Sequence, residues 1–117
     1  MALLLLATQS AWAGEQVCML AEDCETGGAC VAFADPRTAW VRPVDGGVEH
    51  EIEGNVVVLT ELAHIQAAQV FAGTPGPNNT LLLMLHDQGG LTLTAHYSSG
   101  TEILSNTLRG TCRTESN

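Results

Sequence analysis

Four histidines, four cysteines and 13 carboxylates are the side chains of this chain that could do chemistry. The histidines are His50, His64, His86 and His96, and no His-x-His or His-x3-His spacing joins any two of them. If a turn at 87–90 pairs His86 with Leu91, alternation puts Leu82, Met84, His86, Leu91, Leu93 and Tyr97 on one sheet face. His96 then points the other way, and the two histidines cannot share a metal. Nucleophilic catalysis would need a Ser or Cys beside a base and an orienting acid. No Gly-x-Ser-x-Gly turn occurs, and Ser98 and Ser99 sit in a turn, an ordinary place for serine. Gly27-Gly28 and Gly46-Gly47 lie in hairpin contexts with no helix to follow, so they are not phosphate loops. The reading is of a protein that is not an enzyme, with no catalytic residue, no metal and no cofactor.

The cysteines are Cys18, Cys24, Cys30 and Cys112. An even count in a small exported chain reads as two disulfides, and four cysteines allow three pairings. Turn chemistry leans toward one of them. Glu25-Thr26-Gly27-Gly28-Ala29 is a tight stretch, and a hairpin centred on Gly27 sets Cys24 opposite Cys30. Cys18 and Cys112 then lie on the first and last strands and meet if the sheet closes. Such a long loop is worth about 4–5 kcal/mol in the chain-entropy model. A zinc site fits worse, because Cys-x5-Cys-x5-Cys is not a knuckle spacing and the fourth cysteine is remote.

The acids form two groups. Glu22, Asp23 and Glu25 flank Cys24, without the alternating oxygens of a calcium loop. Glu49, Glu51 and Glu53 fall on one strand face with Trp40 and Arg42, if Asp45-Gly46 is the turn that sets Arg42 against Glu49 and Val41 against His50. Ala39, Val41, His50 and Ile52 take the other face. The glutamate stripe is the candidate partner-binding surface, since a strip of like charge steers opposite charge. Only 4 basic residues, all arginine, oppose the acids, for a net charge of -9 in 117 residues. No basic patch can form, which excludes nucleic acid and disfavours anionic membranes.

The elements that must position these residues read as strands. Short apolar or alternating segments at 16–20, 30–34, 38–43, 48–53, 55–60, 80–86, 91–97 and 102–112 are separated by Gly, Asp and Asn turns. Asp35-Pro36 is expected to end the second segment. The span 61–72 fits a helix by its Ala, Gln and Leu content and a strand from about Ile65 by alternation. Residues 73–79 are expected to be an irregular Pro/Gly turn that exposes the sequon Asn78-Asn79-Thr80. Seven or eight strands in about 100 residues give an all-β fold. The expected form is a small antiparallel barrel, with a two-sheet β-sandwich as the alternative.

Residues 1–13, MALLLLATQSAWA, read as a signal peptide: a short apolar run ending in Ala11-Trp12-Ala13, a small-x-small cleavage site, although no positive charge precedes the run. No later apolar stretch approaches the ~18–20 residues of a transmembrane helix. Residues 14–117 form the single disulfide-stapled domain, in the periplasm or outside the cell. A strand with one Cys, then Cys-x5-Cys, then a meander ending in Leu108-Arg109-Gly110-Thr111-Cys112 resembles small exported proteobacterial proteins of unknown function. That resemblance implies a periplasmic home and no known activity. A looser resemblance is to the periplasmic C-type lysozyme inhibitors, also small disulfide-bonded antiparallel barrels. Those inhibitors use a Ser and a Lys in their loops, and this chain has no Lys, so no inhibitory residue carries over. The expectation is a binding or inhibitory module for a basic exported protein, with an apolar-ligand carrier as the alternative.

Overall fold

A computed structural model describes residues 14–25 and 28–115, so the signal-peptide reading of 1–13 and the Gly27 tip of the first hairpin lie outside the described residues. Eight antiparallel strands follow one another in chain order and close into a barrel. They are β1 (Gln16–Glu25), β2 (Cys30–Val44), β3 (Gly47–Ile52), β4 (Asn55–Ile65), β5 (Ala68–Gly76), β6 (Asn79–His86), β7 (Gly90–Ser99) and β8 (Glu102–Thr114). Seven neighbours are joined by hairpins. The seam between β1 and β8 completes the ring, with Cys18 opposite Cys112.

Alternation explains the closure. Cys18 and Leu20, Ala39 and Val41, Val48, Leu59, Phe71, Leu83 and Leu85, and Leu91 and Leu93 all point inward and form one buried cluster. An eight-stranded barrel has just enough interior for its own side chains. Two glycines let the wall bend. A Cβ on Gly110 would collide with the Met19 carbonyl of β1, and one on Gly47 with the Leu59 carbonyl of β4. Such close backbone approach is what glycine permits at a barrel corner.

Several expected boundaries shift. Asp35-Pro36 does not end a strand: β2 runs through it, and four residues of β2 stand against one of β1 between Leu20 and Glu22. Pro36 lacks an N–H, and this wide irregularity asks none of it. The span 61–72 is strand throughout except for a tight turn at Gln66-Ala67. A strand beginning near Ile65 is therefore corrected, since Ile65 ends β4 and Ala68 opens β5. Residues 73–76 are not irregular either. β5 continues through Gly76, with a register break after Gly73 that accommodates Pro75, and only Pro77-Asn78 turn.

Candidate functional site

The β2–β3 hairpin carries the glutamate stripe in the expected register, with Arg42 opposite Glu49 and Val41 opposite His50. The stripe is not a row of free charges. The Arg42 Nε donates to Glu15 Oε2 at 2.6 Å, and its Nη1 donates to Glu51 Oε1 at 2.9 Å and Glu49 Oε1 at 3.5 Å. The guanidinium also lies over the Trp40 ring, 5.6 Å from its centroid. Bonding to Glu51, and then to Glu15, raises the Arg42 pKa further above its already cationic range. One cation thus sits among three carboxylates, and the local charge is −2 (one arginine less Glu15, Glu49 and Glu51). Glu53 departs from the stripe. It lies in the turn after β3 with a positive φ of 50° and pairs with Arg37 at 3.4 Å.

His50 shares the inner face with Ala39, Val41 and Ile52, as the register requires. It is 2% exposed, and its Nε2 has no hydrogen-bond partner. Burial lowers its pKa below 6.5, so the ring is neutral at physiological pH. The other histidines stand apart on the outside. The register expected for His86 is off by one. Leu85, not His86, pairs with Leu91, because Gly89 at φ 96° lengthens the turn. A one-residue shift turns every side chain of a strand over. His86 and His96 therefore share the outer face, yet they lie toward opposite ends of the barrel, since His96 pairs with Thr80 at the other end of β6.

Both disulfides form as the turn chemistry suggests, Cys18–Cys112 across the seam and Cys24–Cys30 at the end of the first hairpin. They fit an oxidising, exported environment. Glu22 lies near Cys24 and Cys30, but both of those sulfurs are spent in the disulfide, which leaves a single carboxylate as a metal ligand. Among the described residues, no helix is long and apolar enough to cross a membrane.

Sequence reasoning missed the mouth of the barrel. Four hairpins end there in an up-and-down topology, and the inner faces of β1, β7 and β8 continue past the core. Tyr97, next inward-facing after Leu93 and Ala95, divides two concavities. One, about 320 Å³, is lined by Asp23, Glu25, Tyr97, Leu104, Ser105 and Asn106. The other, about 530 Å³ and more open, lies toward Pro77, Asn79 and Ile103. Asn106 Nδ2 donates to Asp23 Oδ1 at 3.2 Å. Asp23 and Glu25 have no ion-pair partner among the described residues. The signal was present in the sequence, since Tyr97 follows Leu91, Leu93 and Ala95 at period two. The bulge at Ala21 that turns Asp23 inward was not readable. No family model, no curated protein and no solved structure matches the chain.

Proposed function

We propose that this chain is an exported module that works without catalysis, binding or inhibiting a basic partner in the periplasm or outside the cell.

 The observation that carries this reading is the β2–β3 face, where Arg42 alone stands among Glu15, Glu49 and Glu51 and leaves a fixed surplus of negative charge beside Trp40. The rest of the molecule supports it. Arg37 and Arg109 are also engaged, with Glu53 and Glu22, so little positive charge is left to repel a cation. The two disulfides suit an exported life. The resemblance to small exported proteobacterial proteins favours the periplasm. A carrier of apolar ligands needs an interior cavity. Phe71, Leu20, Leu59 and Leu83 fill the interior instead, and the concavity beside Leu85 and Cys112 measures only about 20 Å³.

The test is a pull-down from the exported fraction of the source cell, with oxidised residues 14–117 as bait, at low and at moderate salt. The expected result is a basic protein retained at low salt, released at moderate salt, and lost when the bait carries Glu49→Gln and Glu51→Gln. Salt screens exposed charge pairs beyond a Debye length of about 8 Å at physiological ionic strength, so retention by charge must weaken. Retention unchanged by salt and by both substitutions, or no retained protein, overturns the reading.

A further inference from the structure

We infer that the mouth concavity beside Tyr97 is a socket for one guanidinium group, the arginine side chain of a basic polypeptide. The inference rests on the reading of the chain as a binder of a basic partner, and it assigns that partner a docking residue at a site separate from the Arg42 face.

Five features of the concavity match this group. Its volume, about 320 Å³, admits one long side chain. Asp23 and Glu25 supply two carboxylates, and no cation of the described chain engages either. The Asn106 amide donates to one Asp23 oxygen and so fixes that carboxylate while leaving its second oxygen to accept. Tyr97, 38% exposed, adds an aromatic wall. A planar guanidinium can donate to carboxylates through its edge and stack its face on an aromatic ring, which an ammonium cannot do equally well. Leu104 adds an apolar wall for the methylene stem.

The surroundings extend the match to a residue beside the arginine. Ile103, 76% exposed near the tip of the β7–β8 hairpin, lines the second concavity with Pro77 on the other side of Tyr97. An apolar residue next to the arginine would cover it. The docking segment is therefore a cation followed or preceded by an apolar side chain, and not a run of cations alone.

The experiment uses Ac-Arg-NH2 and Ac-Arg-Leu-NH2 as probes, with the neutral isostere Ac-citrulline-NH2 as control, titrated into isotopically labelled, oxidised protein and followed by backbone amide shifts. The expected result is saturable shifts at Tyr97, Leu104 and Asn106 for both arginine probes, tighter for Ac-Arg-Leu-NH2, and none for the citrulline control. Asp23→Asn with Glu25→Gln should weaken binding about tenfold or more, the loss expected when charge-assisted hydrogen bonds are removed. Asp87→Asn, in the β6–β7 turn at the opposite end of the barrel, should leave it unchanged. Unperturbed amide spectra elsewhere in the barrel establish that each variant is folded. Equal binding of citrulline, shifts centred on Trp40, or no shift at the mouth overturns the socket. The wider reading fails separately, through the salt and Glu49/Glu51 arms of the pull-down.

Discussion

Acid should loosen this barrel through one residue, His50. Its ring is buried at 2% exposure, its Nε2 has no partner, and burial holds its pKa below 6.5. In the unfolded chain the same ring titrates near 6.5. Below that pH the unfolded state takes up a proton that the folded state refuses, so stability is fully present above 6.5 and falls as the pH drops toward the folded value. The slope cannot exceed about 1.4 kcal/mol per pH unit for one proton. Integration bounds the loss between pH 6.5 and 5.5 at about 1 kcal/mol, reached only if the folded ring stays unprotonated throughout. His50→Leu replaces the ring with an apolar side chain of similar bulk and removes the titration. Urea unfolding of both proteins, followed by tryptophan fluorescence from pH 8 to 5, isolates the effect, because carboxylates and the other histidines are common to both. The wild type should lose stability relative to the variant as the pH falls through 6.5, by no more than about 1 kcal/mol over that first unit. Parallel curves over the whole range would refute the reasoning, since His50 would then find a proton acceptor or water in the folded barrel.

Opening the two disulfides should have unequal effects. Cys18→Ala with Cys112→Ala should cost about 4–5 kcal/mol and Cys24→Ala with Cys30→Ala about 2 kcal/mol, because the closed loops span separations of 94 and 6 residues; equal losses in denaturant titrations would contradict this. Gly110→Ala should destabilise by about 3 kcal/mol, as the new methyl meets the Met19 carbonyl of β1, and hydrogen exchange should rise first along the β1–β8 seam. Arg42→Gln should change stability by no more than about 1 kcal/mol, since its ion pairs are about a third exposed. The same variant should bind a basic partner more tightly at low salt; weaker binding would show that Arg42 itself makes the contact.

The barrel and its staples were legible because they depend on local rules. Leu91, Leu93 and Ala95 mark an inner face by alternation, Asp45-Gly46 sets the register that buries His50, and the Gly-rich hairpin brings Cys24 to Cys30. Two of the misreadings share a cause: residues inserted in a turn or in a strand irregularity that local rules do not show. Gly89 moved His86 to the outer face, and the irregularity opposite Asp35-Pro36 kept β2 continuous where proline chemistry suggested a stop. Of the candidate surface, the neighbours Arg42, Glu49 and Glu51 could be placed from the hairpin. Glu15 could not, because it reaches Arg42 from the start of β1 across the β1–β2 pairing. Alternation alone could place Tyr97 on the inner face, but not the mouth around it, since Asp23, Tyr97 and Asn106 meet only after the ring closes.

The chain-order topology also sets the sequence of events in folding. Seven of the eight strand interfaces join neighbours through a hairpin, and contacts between near neighbours form early because little chain entropy opposes them. The β1–β8 seam joins the two ends of the sheet and so carries the largest loop-closure cost of the eight interfaces. Cys18 and Cys112 face each other only across that seam. Their bond is thus the covalent lock on the closed ring. A reductant present during refolding would leave the hairpins able to pair while withholding that lock and the Cys24–Cys30 bond.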